Sequence, residues 1–384
     1  MEGVSVSIRT WILVPLLVAG VSVSAQTGRQ GTGAQGRQGG TATGRQGAAA
    51  ATAKPMFKAI WERVPFTKDI NLESVACVSA EECWAAGRKG TIIHTADGGK
   101  TWEAQLGGDP DAISEDDFDH LFFLDRTHGW AMTRRGKVLG TTNGSSWAEL
   151  STNSGTSKGV WFVSPQVGFE LENPDSTSQT TLRQTGDGGK TWKAVSRCSI
   201  EMTVEGLPRK LGCFMRTMQF LTPTVGFTGG SAGDFTVFGK TTDGGQTWTM
   251  SHIPGGKRHI TDIYFWTPND GIVVVENGEE VHWTADGGTT WTKSTSSRLW
   301  PAYYGVGAGK IIVGANEGRD EMGYSFNGGK SFTVRPFPVP ASVRAVHFFD
   351  AQNGMLVGDS AMAYRYRIVP VAYTSPGMIA AAAP

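Results

Sequence analysis

The sequence predicts an all-β fold, a seven-bladed β-propeller of four-stranded antiparallel blades whose ring is closed by an N-terminal strand. Three observations lead there. A nine-residue phrase recurs as "TADGGKTWE" at 95, "TGDGGKTWK" at 185, "TTDGGQTWT" at 241 and "TADGGTTWT" at 284, with weaker versions "TTNGSSWAE" at 141 and "SFNGGKSFT" at 325. Its large aromatic falls at Trp102, Trp147, Trp192, Trp248, Trp291 and Phe332, in steps of 45, 45, 56, 43 and 41 residues. Self-similarity at about 40–45 residues marks propeller-type repeats. Second, a Phe and a Gly stand six apart in five units: Phe123 and Gly129, Phe162 and Gly168, Phe220 and Gly226, Phe265 and Gly271, Phe348 and Gly354. Third, "FKAIWERVPF" (57–66) reads as an orphan strand, with Trp61 in step 41 residues before Trp102.

The elements follow in chain order. Arg9, the apolar stretch Trp11 to Ala19 and the small residues ending at Ala25 make 1–25 a signal peptide cleaved near Ala25. The stretch is shorter than the roughly 20 residues that span a bilayer, and an uncleaved anchor is the alternative. No Cys follows the cleavage site, which argues against a lipoprotein, and the mature chain is expected in the periplasm or outside the cell. Residues 26–53 repeat "GRQG" at 28, 36 and 44. That Gly-, Gln- and Arg-rich composition buries too little apolar surface to offset ordering entropy, so the segment reads as a disordered tether. The propeller is expected over 54–373 and a frayed tail over 374–384.

Within one unit, "SVACVS", "CWAAG", "GTIIHT" and "TWEAQ" are apolar runs separated by turn clusters, a four-stranded meander. The Asp of the phrase is placed to accept backbone N–H bonds in the turn joining the third and fourth strands, and its glycines permit positive φ. The Trp then opens the outer strand and packs on a neighbouring sheet. These are structural roles for Asp97, Trp102, Asp187, Trp192, Asp243, Trp248, Asp286 and Trp291. Units start near 71, 117, 157, 215, 259, 300 and 342, and the unit near 300 fits the six-residue rule poorly. The last unit supplies three strands and no phrase, so the orphan strand completes it and removes an open edge.

Cys77 and Cys83 occupy the Phe and Gly slots of the first unit, facing positions across a hairpin and good geometry for a disulfide. Cys198 and Cys213 bracket the insertion that lengthens one step to 56 residues, and a second disulfide there is preferred over two reduced, buried thiols. Neither pair has the spacing of a zinc or redox site.

Lys+Arg and Asp+Glu both total 35 of 384 residues, which excludes nucleic-acid binding by charge alone. "S/T-x-D-x-G-x-T-W" is the Asp-box of sialidases, other glycoside hydrolases and sorting receptors. Joined to "GW" or "GF" on the second strand, over residues 57 to 370, it more closely resembles the photosystem II stability and assembly factor family. That resemblance implies a non-enzymatic, exported seven-bladed propeller that binds a membrane-protein assembly intermediate. The expected partner is thus a protein, with no nucleic acid, no cofactor, at most a peripheral relation to a membrane, and a monomeric state.

The alternative is an Asp-box glycoside hydrolase. "ERVP" (62–65) resembles the first arginine element of sialidases without its Phe, and Arg258, Arg319 and Arg344 are the arginines available to complete a triad. The seven His residues show no metal-binding spacing. The acidic run "GDPDAISEDDFD" (108–119) departs from calcium-loop spacing and reads as a solvated loop. "MTRRGK" (132–137) concentrates Arg134, Arg135 and Lys137 at a hairpin tip. With Arg319 in "EGRDEM" they are the partner-binding candidates for an acidic segment, an ordinary charged turn being the other reading. The turns joining second and third strands are expected on the rim away from the Asp-boxes, with the six-residue hairpins between first and second strands grouped with them.

Overall fold

The computed structural model describes residues 56–371 apart from 65, 115, 153–155, 174–178, 256–257, 276–279, 296–302, 308–309 and 316–320. The signal peptide, tether and tail, and Arg319, lie outside the described residues. Seven four-stranded antiparallel sheets form, each in simple meander order except the last. Blade 1 comprises Leu72–Cys77, Cys83–Gly87, Thr91–Thr95 and Glu103–Leu106. The innermost strands of the following blades are Phe118–Phe123, Thr156–Phe162, Phe214–Phe220, Ile260–Phe265, Tyr303–Gly307 and Val343–Phe348. Each starts within three residues of the position read from the sequence.

Closure is the expected one. Met56–Arg63 pairs antiparallel with Ala363–Val371 over eight residues, from Met56↔Val371 to Arg63↔Tyr364, as the outer strand of blade 7. Trp61 plays the part of the phrase Trp there. Its ring meets Phe348 edge-on at 6.2 Å, and its Nε1 donates to the Tyr324 hydroxyl of blade 6 at 3.0 Å.

The six-residue rule has a packing cause. Each Phe and its Gly are register partners at the mouth of the hairpin between first and second strands. A Cβ on Gly168 would stand 2.6 Å from the Phe162 ring, and one on Gly226 2.5 Å from Phe220. Only glycine lets the ring lie across the partner strand. In four of the five, the ring's other face then receives an aromatic from the preceding blade, Trp84 for Phe123 among them. Trp130 stacks on Phe162 at 3.5 Å, Phe169 on Phe220 at 3.6 Å and Phe227 on Phe265 at 3.7 Å, all within 4° of parallel. The phrase Trp closes the cluster edge-on, as Trp192 does against Phe162 at 6.1 Å and 70°. Such pairs are worth about 0.5–1.5 kcal/mol each beyond their burial. The phrase tryptophans therefore pack against the preceding blade, Trp147 joining the cluster of Trp84 and Ile92, and Trp248 that of Phe169 and Leu182.

The seam between blades 7 and 1 departs from this. Cys77 pairs with Cys83 in register, their Cα atoms 4.0 Å apart, and the two sulfurs fill the place of a ring among Met355, Val357 and Trp102. Cys198 and Cys213 come to bonding distance with Cα atoms 5.2 Å apart. Between them the insertion is itself a hairpin, Ser199–Val204 with Leu207–Gly212. Blade 6 explains its poor fit, since Gly307 faces Ile311 across a shorter turn.

One feature was not legible. In six blades the innermost strand shifts register once, at Glu73, Asp119, 158–159, Arg216, Thr261 and Arg344. A bulge of one residue adds local twist and re-aims a side chain, so the repeat places a polar or charged group near the start of each such strand.

Deleting 54–67 removes the closing strand and Trp61, and the truncated chain is expected to lose cooperative urea unfolding or to aggregate. A truncation with the melting curve of the full chain would overturn the closure. Non-reducing peptide mapping of exported material should recover Cys77–Cys83 and Cys198–Cys213. A bridge over 15 residues contributes about 3 kcal/mol, so reduction should lower the urea midpoint.

Candidate functional site

Two rims and an axial cavity are the places where a partner or ligand can meet this ring. The Asp-box rim is closed by its own hydrogen bonds. Thr95 Oγ1 donates to Asp97 Oδ1 at 2.9 Å and accepts from the Gly99 N–H at 2.8 Å. Asp97 Oδ1 also accepts from the Thr101 N–H at 2.9 Å, and its Oδ2 from the Thr101 hydroxyl at 2.7 Å. The pattern repeats at Asp187, Asp243 and Asp286. Asn143 and Asn327 keep the acceptor role in the weaker phrases. Gly98 and Gly99 sit at φ 73° and 87°, where a side chain is strained.

Each box is tied in two directions. Its first Gly N–H bonds to the hairpin between first and second strands of its own blade, as Gly98 to Glu81 O at 2.7 Å and Gly188 to Gln166 O at 3.0 Å. Its glycine carbonyls accept from the preceding blade, from Gln105 Nε2 at Gly144 O, Ser151 Oγ at Gly189 O and Ser196 Oγ at Gly245 O. The first-to-second-strand hairpins thus share the Asp-box rim. Their expected grouping with the opposite rim is corrected by these bonds, since a hairpin returns the chain to the end where the third strand will also finish.

The opposite rim carries the turns between second and third strands. Arg134 lies there, 3.5 Å from Glu73, which also takes Arg88 Nε at 3.0 Å. Lys137 Nζ lies 2.7 Å from Asp116, the bond that raises its pKa most. The acidic run does not simply extend into solvent. Asp117 Oδ1 accepts the Lys89 N–H at 3.1 Å, and Lys89 Nζ reaches Ala112 O at 3.0 Å. The acidic loop and the basic turns of blades 1 and 2 therefore neutralise one another in part, a pairing that residues 108–119 and 132–137 could not reveal while distant in sequence.

Among the described residues the sialidase arginines are not assembled. Arg63 is exposed on the outermost strand, while Arg344 on an innermost strand bonds Asp359 at 2.7 Å. The Arg258 N–H donates to Thr236 Oγ1 on yet another blade.

The axial cavity, about 390 Å³, was missed by sequence reasoning. Its polar side chains come mostly from the residues one and three places before the rule's Phe, positions that alternation turns to the axis. Most of them bridge neighbouring inner strands. His120 Nε2 donates to Val160 O at 3.1 Å, Trp161 Nε1 to Phe220 O at 2.8 Å, and Gln219 Nε2 to Phe265 O at 3.1 Å. His347 Nδ1 accepts the Cys77 N–H at 3.1 Å. Burial lowers the pKa of both histidines, that of His347 to about 4, and pushes Asp262 up to about 6. Among the described residues no group of His, Cys, Asp or Glu is placed to hold a metal ion.

Comparison with known proteins adds a likeness. A family model described as photosynthesis system II assembly factor YCF48 matches residues 30–142. The photosystem II stability/assembly factor HCF136, chloroplastic, of Arabidopsis thaliana is 23% identical over 342 residues, 80% of this chain and 79% of that protein. A solved structure of YCF48 bound to D1 peptide superposes with a TM-score of 0.58 at 18% identity, covering 80% of this chain and 94% of that one. A streptogramin B lyase superposes with a TM-score of 0.60 at 11% identity, covering 81% and 98%. At such identities the superpositions show the fold alone.

The Asp-box carboxyls give a pH prediction. The Thr101 N–H holds Asp97 at about 2 rather than 3.8, and threonine hydroxyls do the same for Asp187, Asp243 and Asp286. A depressed carboxyl stabilises the fold above its unfolded pKa and loses that contribution as pH falls through the folded one. The urea midpoint should therefore drop as pH goes from about 4 to 2. Asp243→Asn should keep the turn and flatten part of that drop, whereas Asp243→Ala should lower the midpoint at pH 7. An alanine variant as stable as the parent would show that the box does not hold the turn.

Proposed function

Taking the photosystem II assembly-factor-like propeller as the premise, we propose that this chain is a non-catalytic, extracytoplasmic scaffold. Its rim away from the Asp-boxes docks an acidic segment of a membrane or secreted protein, such as a membrane-protein assembly intermediate. The observation that carries the reading is the unequal commitment of the two rims. Six Asp-box or Asn-box turns are held by bonds to their own hairpins. The opposite rim carries turns of differing chemistry, with Arg88, Arg134 and Lys137 in reach of solvent, Lys137 paired with the surface carboxylate of Asp116 and the two arginines sharing the single, largely buried carboxylate of Glu73. A surface pair such as Lys137 with Asp116 is worth about 0–1 kcal/mol, so a partner's carboxylate can exchange with it at small cost, and Arg88 and Arg134 have one carboxylate between them.

Further support comes from the peptide-bound YCF48 structure, which shows a related fold used to hold a peptide. Two cysteine pairs at bonding distance suit an oxidising compartment, as does the apolar N-terminal stretch.

Reversing charge at Arg134 and Arg135 should weaken capture of the partner from native membranes by roughly tenfold, about 1.4 kcal/mol, with an unchanged melting temperature. Asp97→Ala should lower the melting temperature while folded protein still captures the partner. If the arginine variant binds normally and an Asp-box variant of parental stability does not, the docking rim is the other one.

A further inference from the structure

We infer that the axial cavity is a binding site for an organic ammonium group, held at the blade 4 and blade 5 wall by Asp262, Tyr264 and Thr217. The site is distinct from the docking rim and does not depend on it. The lining divides by what its polar groups already do. His120, Trp161, Gln219 and His347 are each bonded to the backbone of an adjacent inner strand. Among the described residues Asp262 is bonded only to the N–H of the next residue, Ile263, at 2.8 Å. No hydrogen bond is made by the Tyr264 hydroxyl or the Thr217 hydroxyl among the described residues. Their positions coincide. Thr217 and Asp262 each stand three residues before the Phe of the rule, on adjacent strands, hence at one height. Tyr264, two residues beyond Asp262, shares its face.

The chemistry of the occupant follows. A carboxylate, a phenol and a threonine hydroxyl offer acceptors, and no Lys or Arg stands among the described residues of the lining. The remaining wall includes Phe122 and Trp161, whose rings meet at 5.2 Å, and aromatic faces attract cations. An anion would meet an uncompensated carboxylate here, and a neutral alcohol would leave it unpaired. An ammonium on a short alkyl chain satisfies the carboxylate and both hydroxyls while its methylenes lie against the rings. A volume of about 390 Å³ lies within the roughly 300–1,000 Å³ of ligand pockets. Two sources share this chemistry, a free small amine and a lysine side chain inserted by a partner. The titratable groups lining the cavity with Asp262 are His120, His347 and Tyr264, and burial holds the first two neutral at pH 7.

The test is calorimetric titration of the full chain at pH 7.5 with n-butylammonium, with n-butanol as the neutral match, and with an acetylated, amidated Gly-Gly-Lys-Gly-Gly peptide. Saturable binding of n-butylammonium, at least tenfold tighter than n-butanol, is expected, and Asp262→Asn should remove that preference. Because Asp262→Asn discards a charge from a protein-walled cavity, its melting temperature should equal or exceed the parent's. Should that variant misfold, Tyr264→Phe keeps the ring, removes one acceptor and should weaken butylammonium several-fold. Binding of the peptide as well as the free amine supports a partner lysine as the source, and binding of the amine alone supports a small-molecule amine. Equal affinity for n-butanol, no saturable binding of either ammonium, or an undiminished preference in folded Asp262→Asn would overturn the site.

Discussion

In each of five blades a phenylalanine ring at the end of the innermost strand lies across a glycine at the start of the second, and its exposed face becomes the seat for the preceding blade. A blade is a twisted sheet that must bury both faces, and two such sheets meet poorly unless something flat lies between them. The Phe162 ring shows the solution. It stands 2.6 Å from where a Gly168 Cβ would be, stacks on Trp130 at 3.5 Å, and meets Trp192 edge-on at 6.1 Å. Removing such a ring would cost about 3–5 kcal/mol in a core this close-packed. The Asp-box depends on this cluster, because the Trp it presents has a fixed place to go. The bonds from Gln105, Ser151 and Ser196 to glycine carbonyls of the next box then fasten neighbouring blades at the rim.

The join of the last blade to the first is where a ring protein is most exposed to opening, since only the pairing of Met56–Arg63, which runs on in the chain to Leu72 of blade 1, with Ala363–Val371 closes the ring. Two devices meet there. Met56–Arg63 pairs along the full edge of the final sheet, and a cysteine pair stands where other blades have the ring and its glycine. The side chain of Arg365 adds a third contact, lying against Gly98 of the first Asp-box. An aromatic stack is reversible in the ordinary way, whereas a covalent link between first and second strands at this one seam fixes the geometry that Met355 and Trp102 pack against.

Charge is distributed by the same architecture. Net neutrality hides a local exchange between an acidic loop and basic turns on the rim away from the Asp-boxes, and a second polar population in the axial cavity. In the cavity, side chains one and three places before the ring residue replace the ladder bonds that splayed inner strands cannot make. His120, Trp161 and Gln219 do this for three successive gaps. The exceptional residues of that set are the ones with chemistry to spare.

The sequence by itself determined the number of blades, the strand that closes the ring and the pairing of Phe with Gly. All three rest on periodic local signals, a turn that needs Gly and a strand that needs an aromatic every forty-odd residues. It also indicated the acceptor role of the Asp-box carboxylates, because that network spans only seven residues, from Thr95 to Thr101. It grouped the first hairpins with the wrong rim, since rim identity depends on counting chain reversals in space. It read Arg134, Lys137 and the 108–119 run as separate surface features, although Asp116 and Lys137 lie 2.7 Å apart. Only the tertiary structure decided that pairing, the bulges and the axial cavity. The pairing joins residues 21 apart and the cavity bonds join residues 40 to 270 apart, brought side by side by the closed ring, and no local preference encodes which distant side chain will face which.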